Sequence, residues 1–167
     1  MKRNKKYRPR PILRDPLGYV VEGMVPLPKY DTYMVDLGVK THAAMANLTQ
    51  GRATKTDINR LINAANMSEA MYRRGFGKEY ESVLRAGIDA LYEVAKRGAD
   101  SHKFVLRASE MEAINMLLEL HDAQLEIATV KDIERAIELV QEELRNKRAR
   151  HVTEKRNEHT EGVTRAN

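Results

Sequence analysis

The stretch that decides the fold is SEMEAINMLLELHDAQLEI, at residues 109–127. Its apolar side chains recur at helical spacing and cover most of the helix circumference: Met111, Ile114, Met116, Leu117, Leu118, Leu120, Leu125 and Ile127. A helix that is apolar on so many sides is typical of the middle of a protein. The sequence therefore predicts a central helix over residues 110–127. Ser109, followed by Glu112, forms a capping box and is its predicted N-cap.

Four further segments have one apolar face at helical spacing. They span about residues 30–50, 56–74, 78–97, and residue 130 onward into the tail. Gly51, Gly75 and Gly98 follow the first three and are predicted to end them. Thr54 and Thr129 precede the second and fourth as N-caps, each with an aspartate three residues later. Gly87, inside the apolar face of the third, predicts a close approach of two helices.

The sequence predicts an all-α, single-domain bundle of about five helices, because five such segments follow one another through short connections. The composition agrees, since the chain has no Trp, 2 Phe and 8 Met. Three segments are predicted: a basic extended arm over residues 1–14, a helical domain over 15–148, and a polar basic tail over 149–167.

Charge is distributed unevenly along the 167 residues, whose formal net charge is +5. Residues 1–14 carry seven basic side chains and no acidic one, residues 15–144 carry 15 basic and 21 acidic, and residues 145–167 carry seven basic and three acidic. The three net charges are therefore +7, −6 and +4. An acidic body between two basic ends favours a polyanion or an acidic protein surface as the partner of the ends.

The N-terminal arm is the first candidate binding segment. Its candidate residues are Lys2, Arg3, Lys5, Lys6, Tyr7, Arg8, Arg10 and Arg14. Pro9 and Pro11 favour an extended backbone, which would hold the arginines apart along phosphates, and Tyr7 could stack on a base. The alternative is an arm that lies across a neighbouring subunit.

The loop RRGFGK, at residues 73–78, is the second candidate. Arg73, Arg74 and Lys78 surround two glycines, whose amides can approach a phosphate, and Phe76 could stack on a base. The structural alternative is a Schellman stop, in which Gly75 ends the helix and Phe76 packs back on it. The two interpretations are compatible if the side chains of the three cations remain exposed.

Two further patterns in the sequence are weaker signals. Residues 39–74 superficially suggest a helix-turn-helix with Gln50, Arg52, Lys55 and Arg60 as reading residues, although the turn is longer than usual. A di-metal carboxylate site on residues 110–127 needs glutamate three residues before histidine, but Leu118 stands there before His121. We therefore predict an outward acidic face of Glu112, Glu119, Asp122 and Glu126, and a buried His121 at the core edge.

Catalytic and membrane signals are absent from the sequence. The chain has no cysteine, no phosphate-binding glycine motif and no H-E-x-x-H motif. We expect no catalytic residues, cofactor, metal or small-molecule substrate, and hence a protein that is not an enzyme. No run of about 18 apolar residues occurs, so we expect no membrane association and a cytoplasmic location.

Four strings carry a resemblance: KKYRPRP at residues 5–11, QGRAT at 50–54, FVLR at 104–107 and LHDAQ at 120–124. Together they resemble a group of short uncharacterised proteins of proteobacterial phages, prophages and plasmids, over about residues 1–150. The resemblance implies a mobile-element context and no activity.

Two functions follow as hypotheses. The first is a non-enzymatic protein that binds DNA or RNA through residues 1–14, with the loop at 73–78 as a second contact. The alternative is a phage protein-interaction factor, either an assembly component or an anti-defence inhibitor of a host nucleoprotein. Both predict a homo-oligomer in the cytoplasm, that of the host cell if a phage encodes the chain.

Overall fold

The described part of the chain forms a bundle of five α-helices. A computed structural model describes Met24, residues 31–101 and residues 103–146. The helices are α1 (Asp31–Thr49), α2 (Lys55–Arg73), α3 (Glu81–Ser101), α4 (Ala108–Ile127) and α5 (Val130–Arg145), and a 3-10 turn, Lys78–Tyr80, precedes α3. This confirms the predicted all-α single-domain bundle. Residues 1–14 and 149–167, predicted to be appendages, lie outside the described residues.

The start of α2 and the start of α5 use the predicted threonine caps. Thr54 accepts a hydrogen bond from the Asp57 amide, and Asp57 accepts one from the Thr54 amide at 2.8 Å. Thr129 and Asp132 repeat this arrangement before α5. Each reciprocal pair satisfies amides that a helix start leaves without a partner, which is why both helices begin where the sequence predicts.

The main core lies between α1, α2, α3 and α4. Its largest fully buried apolar side chains are Leu48, Leu61, Leu84, Val94, Ile114 and Leu117. α3 packs most extensively on α4, and at Gly87 an added Cβ would overlap Leu117 and lie 2.9 Å from the Ala113 carbonyl oxygen. The close approach predicted at Gly87 is confirmed.

α2 is the central helix, in place of the segment predicted from residues 110–127. It packs against each of the other four α-helices, whereas α4 exposes Met116 and Ile127. The buried positions of α2 include four small side chains, Ala64, Ala65, Ser68 and Ala70. Small side chains let neighbouring helices approach α2 from several sides. The spacing of large apolar residues in the sequence therefore does not predict its central position.

Two predicted helix ends, Gly98 and Ser109, are wrong. α3 continues through Gly98 to Ser101, and Gly98 lacks the positive φ seen at Gly51, Gly75 and Gly77. A Cβ at Gly98 would overlap the ring of Phe104, so this glycine makes room for a buried aromatic side chain. α4 begins at Ala108, because the carboxylate of Glu110 accepts a hydrogen bond from the Arg107 amide at 2.9 Å.

Candidate nucleic-acid interface

The first candidate segment, residues 1–14, lies outside the described residues. Its predicted contacts Lys2, Arg3, Lys5, Lys6, Tyr7, Arg8, Arg10 and Arg14 therefore remain predictions from the sequence. The structure describes the second candidate, the loop that follows α2, in full.

The backbone of this loop is a Schellman motif. Gly75 has a φ of 110°, and its amide donates to the Tyr72 carbonyl at 2.9 Å. The Phe76 amide donates to the Met71 carbonyl at 3.1 Å, which completes the motif. Gly77 also adopts a left-handed conformation, with a φ of 71°. The predicted helix stop at Gly75 is confirmed, and the Gly75 and Phe76 amides are engaged within the protein.

Phe76 packs back on the helix that it follows. Its half-buried side chain joins a small cluster around Met71, Ala128 and Ala136, between α2 and α5. Its carbonyl accepts a hydrogen bond from Gln124 Nε2 at 3.1 Å. The ring therefore stabilises the junction of α2 with α5, and stacking on a base would require it to leave that cluster.

Arg73 and Arg74 both reach carboxylates within the bundle. Arg73 Nη1 lies 3.1 Å from Glu143 Oε1 on α5, and Arg73 Nη2 lies 3.3 Å from Glu69 Oε1. Arg74 Nη2 lies 2.7 Å from Asp132 Oδ1, at the start of α5. Burial opposes ionisation of Asp132, but hydrogen bonds from Thr129 and Arg74 outweigh it and hold the pKa of Asp132 below its usual value. These two arginines join α2 to α5 electrostatically.

Lys78 is the most available cation of the loop. Its side chain is exposed, and its Nζ lies 4.5 Å from the centroid of the Tyr72 ring. No carboxylate of the described residues forms an ion pair with it, in contrast to Arg73 and Arg74. Lys78 is consequently the loop residue best placed to meet a phosphate.

Several arginines elsewhere in the body also have acidic partners. Arg60 pairs with Asp57, Arg85 with Glu69 and Glu81, and Arg97 with Glu110. Arg52 and Arg60, reading residues of the helix-turn-helix alternative, lie near Asn47 at 3.1 Å and Asp57 at 3.5 Å respectively. Intramolecular partners therefore compete with phosphates for these guanidinium groups.

A half-buried ion pair that the sequence does not predict joins α3 to α4. Arg97 Nη1 lies 2.8 Å from Glu110 Oε1 and Nη2 lies 2.6 Å from Oε2, and Nη2 also donates to the Val105 carbonyl at 3.0 Å. The hydrogen bonds from Arg97 hold the pKa of Glu110 below its usual value despite burial. Glu110 is the third residue of α4, a position at which a glutamate carboxylate commonly accepts a hydrogen bond from the N-cap amide. This local pattern could have predicted the start of α4.

The sequence also does not predict the buried polar pair of Ser68 and Gln124. Gln124 is 2% exposed; its Oε1 accepts from Ser68 Oγ at 2.8 Å, and its Nε2 donates to the Ser68 carbonyl at 3.2 Å. With the bond to Phe76, this amide connects α4, α2 and the loop. Each polar atom of this pair has a partner, so its burial carries no large penalty.

The predicted acidic face of α4 is present, with one modification. Glu112, Glu119 and Glu126 are exposed, whereas Asp122 is partly covered and lies 2.8 Å from His42 Nε2 on α1. His121 is 5% exposed, as predicted, and its Nδ1 lies 3.4 Å from Asp122. In the described part of the chain, no three histidine, aspartate or glutamate side chains are grouped so that they could hold a metal ion.

Among the helices of the described residues, none has both the length and the apolar character needed to cross a membrane. Comparison with known proteins finds no matching protein-family model, no matching curated protein and no matching solved structure.

Proposed function

We propose that this chain is a non-enzymatic nucleic-acid-binding protein of a phage or mobile element, and that residues 1–14 contact the phosphates. One observation carries the proposal. The first 14 residues hold seven cations and no carboxylate, whereas the arginines of the bundle at positions 60, 73, 74, 85 and 97 form ion pairs with the bundle's own acids.

The charge of the helical bundle also supports binding through the basic ends and not through the bundle. Exposed Glu112, Glu119 and Glu126 on α4 would repel phosphates, so a polyanion would meet the protein at its ends. Lys78 offers a second contact, because it is exposed and has no carboxylate partner among the described residues. Arg73, Arg74 and Phe76, predicted from sequence to bind beside it, would first have to give up contacts within the bundle.

Salt dependence of binding tests the proposal. Each phosphate contact adds about −0.9 to the slope of log affinity against log salt for duplex DNA, and about −0.7 for single strands. We would measure anisotropy of labelled duplex DNA and of single-stranded RNA, each of about 20 nucleotides, between about 50 and 200 mM salt. The two probes distinguish the possible sources of phosphate.

Two variants with equal loss of charge make the test specific. The first replaces Lys5, Lys6 and Arg8 by glutamine; the control replaces Lys96, Lys103 and Arg135, which are exposed on the bundle. We expect the arm variant to lose about 2.7 from the duplex slope, at about 0.9 for each contact, and the control to bind like the wild type. Equal losses in both variants, or no binding by the wild type at low salt, would refute the role of the arm.

The second candidate is a protein-interaction factor in assembly or in inhibition of a host nucleoprotein. The exposed glutamates on α4 favour it, because a row of carboxylates presents a basic protein with a charge similar to that of nucleic acid. Purification of the chain at low and high salt, with light scattering and an absorbance ratio, separates the two. Co-purified nucleic acid that is lost at high salt supports the first, and a nucleic-acid-free defined oligomer supports the second.

A further inference from the structure

α5 lies over the basic loop that follows α2. Asp132 on α5 accepts a hydrogen bond from Arg74 at 2.7 Å. Glu143, near the other end of the helix, accepts one from Arg73 at 3.1 Å. The ring of Phe76 packs in the small cluster between α2 and α5. Three of the four side chains that the sequence predicts to meet nucleic acid at this loop therefore contact a single helix or its cluster.

The charges of α5 complement those of the loop. Residues 130–145 carry five acidic and three basic side chains, a net charge of −2, whereas residues 73–78 carry three basic side chains and no acidic one. The two carboxylates that meet the arginines are about 16 Å apart along the helix axis. Carboxylate and phosphate oxygens bind a guanidinium group in the same way, so α5 occupies the groups that a phosphate backbone would use.

α5 is attached to the bundle through a small surface. Its only extensive packing among the described helices is on α2. Of its 16 residues, all of which the structure describes, Ala136 alone is buried, whereas α2 buries eight side chains. The buried residues of the cluster between the two helices are Ala70, Met71, Ala128 and Ala136. A helix with so few buried apolar contacts opens at a lower free energy than the whole protein.

The ion pairs that hold α5 are accessible to solvent. The side chain of Arg73 is 43% exposed and that of Glu143 is 25% exposed. Ion pairs this exposed contribute little to stability and are screened by salt. Arg74 Nε is buried and has no acceptor among the described residues, so the arrangement leaves one donor of this guanidinium unused. A strand of closely spaced phosphates therefore competes with the two carboxylates for the arginines.

We propose that α5 is an autoinhibitory helix that covers a phosphate-binding site formed by Arg73, Arg74 and Phe76. When α5 moves away, the two guanidinium groups are free to bind phosphates of a single strand, and the ring is free to stack on a base. When α5 is in place, only Lys78 of the loop remains available beside the N-terminal arm. The inference rests on the proposed nucleic-acid binding and adds its regulation.

Hydrogen exchange of the 167-residue chain tests the release of α5 without nucleic acid. After correction for intrinsic rates, we expect the amides of α5 to exchange at least about tenfold faster than those of α2. Glu143→Gln should speed the exchange of α5 further and leave that of α3 unchanged, because the lost ion pair joins α5 to α2. Unchanged α3 also shows that the variant is folded. Equal protection of α5 and α2 would overturn the proposal, whatever the chain binds.

Two adjacent glutamates of α5 provide matched variants for binding. Glu143→Gln and Glu142→Gln each remove one negative charge, but Glu143 pairs with Arg73, whereas Glu142 is exposed and has no ion pair among the described residues. We expect Glu143→Gln to bind labelled single-stranded RNA of about 20 nucleotides at least about threefold more tightly than Glu142→Gln at about 100 mM salt. The slope of log affinity against log salt should become more negative by about 0.7, the value of one additional contact. In the Arg73→Gln background, Glu143→Gln should give no such gain.

The covered site and the N-terminal arm can fail separately. Equal affinities of Glu143→Gln and Glu142→Gln would overturn the covered site, even if the arm variant at Lys5, Lys6 and Arg8 loses affinity as expected. A gain in Glu143→Gln together with no loss in the arm variant would support the covered site and refute the role of the arm. If neither glutamate variant binds the RNA at about 50 mM salt, both proposals are overturned.

Discussion

Arg74, the last residue before the loop glycine, donates to Asp132 in the first turn of α5, with 2.7 Å between Nη2 and Oδ1. The other carboxylate oxygen of Asp132 accepts from the Thr129 amide and hydroxyl at the N-cap. One aspartate thus caps α5 and fixes α5 to the end of α2. An arginine that the sequence presents as a phosphate contact has a structural partner 58 residues away.

Replacing Arg74 tests this assignment. Arg74→Gln removes the charged bond to Asp132, and we expect the free energy of unfolding to fall by roughly 1–2 kcal/mol. Affinity for duplex DNA should change by less than about twofold, because this guanidinium is already engaged. Urea unfolding and anisotropy measure the two quantities.

Lys78→Gln is the matched variant on the same loop. Its ammonium is exposed, so we expect a stability change within about 0.5 kcal/mol and a weaker affinity for DNA than the wild type. If Arg74→Gln reduced affinity more than Lys78→Gln did, the assignment of Arg74 as a structural residue would be refuted.

The ion pair between Arg97 and Glu110 is the next site to test. Glu110→Gln leaves the half-buried guanidinium without a carboxylate, and we expect the protein to lose roughly 2–3 kcal/mol of stability at pH 7. Glu112→Gln, on the exposed face of the same helix, should change stability by less than about 0.5 kcal/mol. Urea unfolding of both variants checks the prediction; similar values for the two would contradict it.

Acid should destabilise the protein through its bonded carboxylates. The pKa of Glu110 is lowered chiefly by Arg97, and the pKa of Asp57 chiefly by the Thr54 amide. A carboxylate whose pKa is lower in the folded state than in the unfolded state stabilises the folded protein at pH values above its unfolded-state pKa. This stabilisation is lost as the pH falls through the folded-state pKa. We expect the free energy of unfolding to drop below about pH 4.5.

Unfolding in urea at pH 7, 5, 4 and 3 measures this dependence. The profile of Glu110→Gln should be shallower than that of the wild type, because one linked carboxylate is gone. Parallel profiles for the two proteins would show that Glu110 titrates alike in the folded and unfolded states.

Two helical glycines predict opposite effects of one substitution. A Cβ at Gly98 overlaps the Phe104 ring, so Gly98→Ala should destabilise the protein by roughly 1–3 kcal/mol. A Cβ at Gly38 meets nothing within 4 Å, so Gly38→Ala should stabilise α1 by roughly 0.5–1 kcal/mol. Thermal unfolding compares them, and a shift of the same sign in both would contradict the packing of Phe104 on Gly98.

The sequence by itself determined the features that depend on neighbouring residues. Five helices, the caps at Thr54 and Thr129 and the stop at Gly75 all follow from patterns within a few positions, since a cap or a Schellman turn is completed by the local backbone. The buried position of His121 followed from helical periodicity for the same reason. The contacts predicted for residues 1–14 remain predictions, because those residues lie outside the described part of the structure.

The tertiary structure alone decided which partners distant residues find. The sequence presents Arg73 and Arg74 as free cations, but in the structure α5 places Glu143 and Asp132 beside them. The sequence presents Gly98 as a helix end, but in the structure the Phe104 ring packs where a Cβ would lie. These contacts join residues that are far apart in the sequence and are not related by helical periodicity. A short sequence motif therefore cannot predict them. They reduce the loop at residues 73–78 from three available cations to Lys78, and leave the basic ends as the main candidates for a polyanion.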